Sequence, residues 1–299
     1  MPATEPQPAC TVCRGPLRLF GPRLDYAYHE CERCGSLQLW PMPTPQTLQT
    51  AYAEQYADAC HTQEFDDPEH WQHAGAPYRQ NLIDALLSQH IQGPIIDFGA
   101  GWGHLCKDMQ TNGIACQGVE LSARMADHAK AQGLPVRQGG FDLIEADPSQ
   151  PTGIVLCAVF EHLSDHHQWM QRFNRRLPTD GYLISLHPTA ACYRLLGQLI
   201  RLGRRQKSLP ELHGSFAPPW HTLLISLQGM AELAQQHGFE TVAIYPASQG
   251  RAGGLIGLIQ RMLELTNRLG VGLFGLRWPL VTTHVFVLRK VQEDSQGTA

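Results

Sequence analysis

The sequence predicts an α/β fold: a mostly parallel sheet with helices on both faces, preceded by a small module built on four cysteines. Three observations predict it. From residue 94 onward, short apolar runs alternate with helix-length segments, the rhythm of a parallel sheet covered on both sides. The first run ends in a glycine-rich turn, Asp97-Phe-Gly-Ala-Gly-Trp-Gly103. Ahead of it stand two C-x-x-C pairs, Cys10/Cys13 and Cys31/Cys34.

At 299 residues the chain suits one large domain plus a small module. With 43% hydrophobic and 17% charged residues it can bury a core. The net charge of -4 argues against a duplex nucleic-acid partner, which calls for a basic stripe. The one basic cluster, Arg201, Arg204, Arg205 and Lys207, reads as a solvated helix end. The first eight residues lack the apolar core of a secretory signal. No uncharged apolar stretch reaches the ~20 residues that span a bilayer. The expected address is the cytoplasm.

Residues 1–9 are Pro-rich, and Pro41, Pro43 and Pro45 close the cysteine module as a stiff connector, which sets a first unit at 1–45. A connecting segment, 46–77, reads as a helix over 47–57 and a polar loop over 58–76. The large domain spans 78–292. Apolar residues at 82, 83, 86 and 87 predict a helix over 78–90. Strands follow at 94–98, 115–121, 135–138, 154–160 and 182–186, with helices at 102–112, 123–132 and 166–177; Gly133 closes the second of these. A helix over 227–236 ends at His237-Gly238, and strands at 239–245 and 283–289 complete the sheet. Segments 190–220 and 251–280 break the rhythm and read as helical insertions. Residues 293–299 read as a disordered tail.

The glycine turn follows a buried strand and opens a helix. Glycine lets the backbone turn tightly and approach a ligand with no Cβ between. The helix start offers free N–H groups. The next strand ends in Gly118-Val119-Glu120, where an acidic side chain can accept ribose hydroxyls. A nicotinamide dinucleotide fingerprint, G-x-G-x-x-G, would need glycine at 104, which is His104. Asp97 would repel a pyrophosphate but attract the ammonium of a methionyl group. This choice of charge favours S-adenosylmethionine.

Two further segments, Ala158-Val-Phe-Glu161-His162-Leu163 and Leu177-Pro-Thr-Asp-Gly-Tyr-Leu-Ile-Ser-Leu186, complete a resemblance over about 78–290. The chain resembles the class I S-adenosylmethionine-dependent methyltransferases, a Rossmann-like family, and within them the branch with the ubiquinone-biosynthesis O-methyltransferases. The resemblance implies a seven-stranded sheet with an antiparallel last strand. It implies that Asp97, Gly99, Ala100, Gly101 and Gly103 hold the methionyl end, and that Glu120 and Leu121 take the ribose. Phe141 and Asp142 are the candidates beside the adenine. Ala158 belongs to the same cofactor wall, and Glu161 and His162 lie beside the methionyl group and the acceptor.

The cysteine pairs are separated by 17 residues, inside the spacing of a four-cysteine zinc site. Four thiolates complete a closed tetrahedral shell, so Cys10, Cys13, Cys31 and Cys34 are expected to hold a structural zinc. Two disulfides are the rival and suit an oxidising compartment. Gly35, Leu37–Trp40, Pro41 to Pro43, Tyr52 and Tyr56 extend a resemblance to the N-terminal zinc ribbon of one methyltransferase branch. The other five cysteines read as buried small hydrophobes. Cys60, His61, His70 and His73 cluster in sequence but match no common metal spacing.

An acceptor hydroxyl must lose its proton, and histidine suits that role near neutral pH. His187 ends a strand, and His221 precedes a helix in the pattern His221, Ser226, Gly238-Phe239 that the family shows. Ligands of parallel sheets bind outside the carboxyl ends of the strands, which places Glu161, His162 and His187 at the correct edge. His187 and His221 are the candidate bases, with Glu161 beside them; each histidine could equally be a structural hydrogen bonder, His162 above all. The expected reaction is O-methylation of a small-molecule, sugar or lipid-like acceptor. N- or C-methylation remains open, as does a non-catalytic zinc-ribbon module contacting protein or RNA. The apolar segment 251–280 carries Arg251, Arg261 and Arg268 and reads as ordinary packing, a lid, a dimer face or a peripheral membrane contact.

Overall fold

The computed structural model describes residues 9–48, 50, 67–202, 208–209, 216–247 and 254–292. The chain opens with three antiparallel strands, β1 (Leu17–Arg23), β2 (Tyr26–Cys31) and β3 (Leu37–Leu39). Of the helix expected over 47–57, all but 47, 48 and 50 lie outside the described residues. The loop expected over 58–76 is corrected from residue 67 onward: α1 (Pro68–Ala74) forms there. Its signals were local. The Asp67 side chain accepts from the Glu69 N–H at 2.9 Å, and Pro68 takes the first helical position, where no N–H is needed.

The large domain then alternates strand and helix. α2 (Ala76–Ser88) leads to β4 (Ile95–Phe98). After the glycine turn come α3 (His104–Thr111), β5 (Cys116–Glu120), α4 (Ala123–Ala131), β6 (Val136–Gln138) and the short α5 (Asp142–Glu145). β7 (Gly153–Cys157) stops three residues before the expected end. Ala158 turns to φ +55, and Phe160–His162 winds into a single 3-10 turn. α6 (His166–Arg176) ends because Leu177 is extended, as a residue before proline must be. β8 (Tyr182–Pro188) runs two residues past the expected end, and α7 (Ala190–Leu202) follows. β9 (Leu223–Leu224), α8 (Leu227–Gln236), β10 (Phe239–Ala247), α9 (Gly254–Phe274) and β11 (Thr283–Lys290) complete the described chain.

The main sheet has seven strands in the order β10-β11-β8-β7-β4-β5-β6. β8, β7, β4, β5 and β6 are parallel; β11 runs antiparallel between β8 and β10. This matches the expected Rossmann-like architecture. Buried apolar residues fill both faces of the sheet, Ile96, Phe98 and Leu156 on one and Ile95, Val155 and Ile184 on the other, as alternation along a strand requires. The order reverses beside β4, and the carboxyl ends of β4, β5 and β7 open there together.

β9 does not join this sheet. It pairs antiparallel with β3, Leu37 opposite Leu224 and Gln38 opposite Leu223, making a four-stranded sheet β1-β2-β3-β9. A third core seals the junction, with Phe20, Tyr28, Leu37 and Leu39 packed on Tyr193, Phe216 and Leu224. Buried Glu30 of β2 ties it to α7 through Arg194 at 2.6 Å.

Candidate functional site

The glycine turn is positioned by β4 and β5. The N–H groups of Gly99 and Ala100 donate to the Val119 carbonyl at 2.9 and 3.1 Å. Gly99, Gly101 and Gly103 all have positive φ, which explains their identity. The space around them differs. A Cβ on Gly99 would meet Val159 at 2.6 Å, and one on Gly103 would meet Leu134 at 2.9 Å. A Cβ on Gly101 would meet nothing within 4 Å. Two glycines therefore serve packing, and the third leaves open space at the turn.

Two carboxylates belong to the turn, Asp97 before it and Glu120 bonded to it. Glu120 Oε2 accepts from the Gly101 N–H and Oε1 from the Ser122 N–H, each at 2.8 Å. Burial raises its pKa, and these backbone bonds oppose the rise. Asp97 is buried, with Oδ1 lacking a hydrogen-bond partner and Oδ2 near the Cys106 thiol at 3.8 Å. Burial first, and then the Glu120 charge, push Asp97 up to about 7. A buried carboxylate oxygen without a donor suits an ammonium group, which would supply both charge and hydrogen bonds.

This shift makes a testable demand on the protein without ligand. Unfolded Asp titrates near ~3.9, so stability from this group is full below ~4 and is lost as pH rises to about 7. Asp97→Asn removes the loss. Its melting temperature should gain on the parent's between pH 4 and 7, by up to a few kcal/mol equivalent at about 1.4 kcal/mol per pKa unit. A pH-independent difference between the two would refute the assignment.

Leu121 follows Glu120 and is 68% exposed at the strand end. The loop after β6 is held there by the Gly139 N–H, which donates to the Glu120 carbonyl at 2.8 Å. Of that loop, Gly140 lies against Leu121. Phe141 is instead buried in a cluster with Phe98, Trp169 and Phe173, with the Arg172 guanidinium 4.9 Å from its ring centre. Asp142 is bonded to Arg172 at 2.5 Å. Ala158 holds a left-handed conformation that costs an L-residue roughly 1 kcal/mol, with its N–H on the Leu186 carbonyl at 2.8 Å. The turn carries Val159 onto Gly99.

At the end of β7 the structure gathers Glu161, His162 and His221, with one ligand-type atom of each within 4.8 Å of the others. The His162 and His221 rings meet edge-on at 4.8 Å between centres. Glu161 is buried with Oε2 unpartnered, and burial pushes its pKa up to about 8. Burial also lowers His162, whose Nδ1 sits 3.1 Å from the Trp220 carbonyl. His187 is not in this group. Its ring is sandwiched between Phe160 and Phe286, each 5.1 Å away, and burial lowers its pKa to about 3. The sequence reading missed Thr222, which donates from N and Oγ1 to the Glu161 carbonyl at 2.8 and 3.0 Å. No local pattern marks that residue; only the pairing of β9 brings it in.

The four N-terminal cysteines converge, their sulfurs all within 4.8 Å of one another. Cys10 and Cys34 are 3.8 Å apart, Cys13 and Cys31 3.4 Å. A tetrahedral zinc with Zn–S near ~2.3 Å implies S–S edges of roughly 3.8 Å, so the set fits the ion. The Val12 and Cys34 N–H groups point at the Cys10 and Cys31 sulfurs at 3.4 Å, as donors to thiolates would. The hydrogen bond with Cys34 and burial push the Cys10 thiol up, and burial pushes Cys13 up to about 12. A dication would relieve this crowding. His70 and His73 lie on α1, outside this set, and Cys60 and His61 lie outside the described residues.

Comparison with known proteins bears on the fold and the family. No curated protein matches the chain. Among solved structures, the plantazolicin methyltransferase BamL, in complex with a triazolic desmethylPZN analog and SAH, is 14% identical at a TM-score of 0.50, covering 82% of this chain and 100% of that one. The 1,6-didemethyltoxoflavin-N1-methyltransferase of Burkholderia thailandensis is 15% identical at 0.50, covering 89% and 96%. At these identities the likeness is one of fold. A family model described as a methyltransferase domain matches residues 70–244, more than half of the sequence, and the chain belongs to that methyltransferase family.

Proposed function

We propose that the protein transfers a methyl group from S-adenosylmethionine to a hydroxyl oxygen of a small-molecule, sugar or lipid-like acceptor. One observation carries the cofactor reading: the turn that leaves open space at Gly101 is held by Glu120 and starts at Asp97, whose buried Oδ1 has no partner. Asp97 and the turn Gly99-Ala100-Gly101, closed by Gly103, would hold the methionyl end. Glu120 would accept the ribose hydroxyls, with Leu121 and Gly140 lining the adenine side and Phe141 and Asp142 backing that loop. Ala158 would complete the wall at the end of β7. The solved relatives with bound SAH support the same reading.

On the acceptor side the geometry supports His221 as base, with Glu161 beside it. The low pKa and aromatic sandwich of His187 make that residue the weaker choice. Transfer at a sulfonium is an in-line displacement, so alignment and exclusion of water supply most of what the protein must do. The test is transfer of labelled methyl to a panel of phenols, sugars and quinol lipids. His221→Ala should lower turnover on the accepted substrate about 100-fold, with S-adenosylmethionine affinity unchanged. Unaltered turnover in both His221→Ala and His187→Ala would rule out a general base. Product methylated on nitrogen or carbon would replace the O-methylation reading. Absence of any S-adenosylmethionine binding would favour a non-catalytic module contacting protein or RNA. We place the protein in the cytoplasm, where four reduced thiols and zinc are compatible.

α9 supports a lipid-borne acceptor. Among the described residues no helix is long and apolar enough to cross a membrane. Yet Leu258, Met262, Leu265, Leu269 and Leu273 recur at helical spacing and are all exposed, over a helix about 31 Å long. Arg261 and Arg268 share one flank of this stripe. An antiparallel pair of copies would set these arginines against each other, whereas an anionic lipid surface attracts them. β10 and β11 hold α9 at the same sheet edge as His187, since Ala247 and Pro188 both pair with Thr283. The protein should sediment with phosphatidylglycerol vesicles and not with phosphatidylcholine ones. Failure to bind the anionic vesicles would exclude the lipid surface.

A further inference from the structure

The cysteine module and the acceptor side of the site are physically one structure. β9 fills the open edge of the module's sheet, and the Leu39 N–H donates to the Thr222 carbonyl at 2.9 Å. One residue earlier, the His221 carbonyl accepts from the Tyr28 hydroxyl at 2.8 Å. Tyr28 is fully buried, its ring edge-on to Phe216 at 4.8 Å, so the hydroxyl has a fixed direction. At the other end, Ser226 donates from N to Ser36 Oγ at 3.0 Å and from Oγ to the Cys34 carbonyl. The same Ser226 side chain caps α8, accepting from the Gly229 N–H at 2.9 Å.

Residues 221–226 are thus a strap, fixed along its length by Tyr28, by β3 and by the backbone of the knuckle that carries Cys34. Its inner side is bonded to Glu161 through Thr222. Cys34 therefore contributes a sulfur to the four-cysteine cluster and a carbonyl to the strap that presents His221. The cofactor side is held differently. Glu120 and the glycine turn are bonded within β4, β5 and the turn itself.

We propose that Tyr28 is a positioning residue for His221, and that metal held by Cys10, Cys13, Cys31 and Cys34 orders the acceptor side of the methyltransferase site while leaving the cofactor side intact. The functional part of this inference rests on reading Glu161 and His221 as the acceptor side. The structural part, the coupling of metal to strap, does not.

The test uses the full chain. Tyr28→Phe removes one hydroxyl and keeps the ring. Amide exchange over residues 221–224 should accelerate about fivefold, the loss of roughly one hydrogen bond, with β4 and β5 unchanged. The His221 ring resonance, assigned by His221→Gln in histidine-labelled protein, should shift its titration midpoint while that of His187 stays. A merely structural role for the hydroxyl would move neither ring. Removing zinc with a chelator should expose 221–226 and 160–163 to exchange, with S-adenosylhomocysteine still bound at an affinity within about twofold.

Continued protection of 221–226 in the metal-free chain would overturn the proposal. So would loss of protection throughout β4 and β5 on chelation, because the metal would then support the whole fold. An unmoved His221 resonance in Tyr28→Phe would overturn the positioning role. Failure of the untreated protein to bind S-adenosylhomocysteine would instead overturn the methyltransferase reading, and the exchange measurements would still decide the coupling.

Discussion

Replacing Glu120 by alanine should lower affinity for S-adenosylmethionine by two to four orders of magnitude. The side chain has two duties. Each of its oxygens already accepts one backbone N–H, which ties the glycine turn to the end of β5. Each oxygen has a second lone pair, and these suit the two ribose hydroxyls. Hydrogen bonds to a charged acceptor contribute about 1.5–3 kcal/mol each, so losing two costs ~3–6 kcal/mol, or roughly 10²–10⁴ in affinity. The alanine also leaves the Gly101 N–H without its partner. Glu120→Gln keeps one acceptor oxygen and should fall between, near tenfold. Titration calorimetry of the three proteins checks the order. Equal affinities would mean that Glu120 only braces the turn.

Cys31→Ser should abolish stoichiometric zinc. The parent should carry one zinc per chain by elemental analysis, and the variant near none. Closed four-thiolate sites contribute roughly 10–16 kcal/mol of binding energy that the small fold around them uses to form. The module's core supports this dependence: beyond the cysteines, Val12, Phe20, Tyr28, Leu37 and Leu39 are its fully buried apolar side chains among the described residues. The variant should therefore lose an early, low-temperature part of its thermal transition while the seven-stranded sheet melts later. A reducing agent should leave the parent unchanged. Two disulfides would instead open under reduction and hold no metal, and that result would discard the zinc site.

What could be read in the sequence was whatever its local chemistry determined. Asp97, the three glycines and Glu120 are consecutive or one strand apart, so their spacing carried the candidate site. Helix starts were similarly local, as Ser122 and Ser226 show by capping α4 and α8. What was not legible depends on distant partners. β9 is two residues long and exists because β3, nearly two hundred residues earlier, offers it an edge. His187 was placed correctly at a strand end. Its burial came from Phe160 and Phe286, which spacing alone does not bring together. The resemblance offered Phe141 as a neighbour of the adenine, and the aromatic side chains of α6 pack on its ring. The helix at Pro68 was signalled by Asp67 and Pro68, but its polar composition suggested a loop.

Calorimetric titration of the full chain with S-adenosylhomocysteine tests the proposed cofactor site most directly. Saturable one-to-one binding is expected, lost in Glu120→Ala, with no heat from NAD under the same conditions. Binding of NAD in preference, or no binding of S-adenosylhomocysteine at millimolar concentration by a folded, zinc-loaded protein, would contradict it.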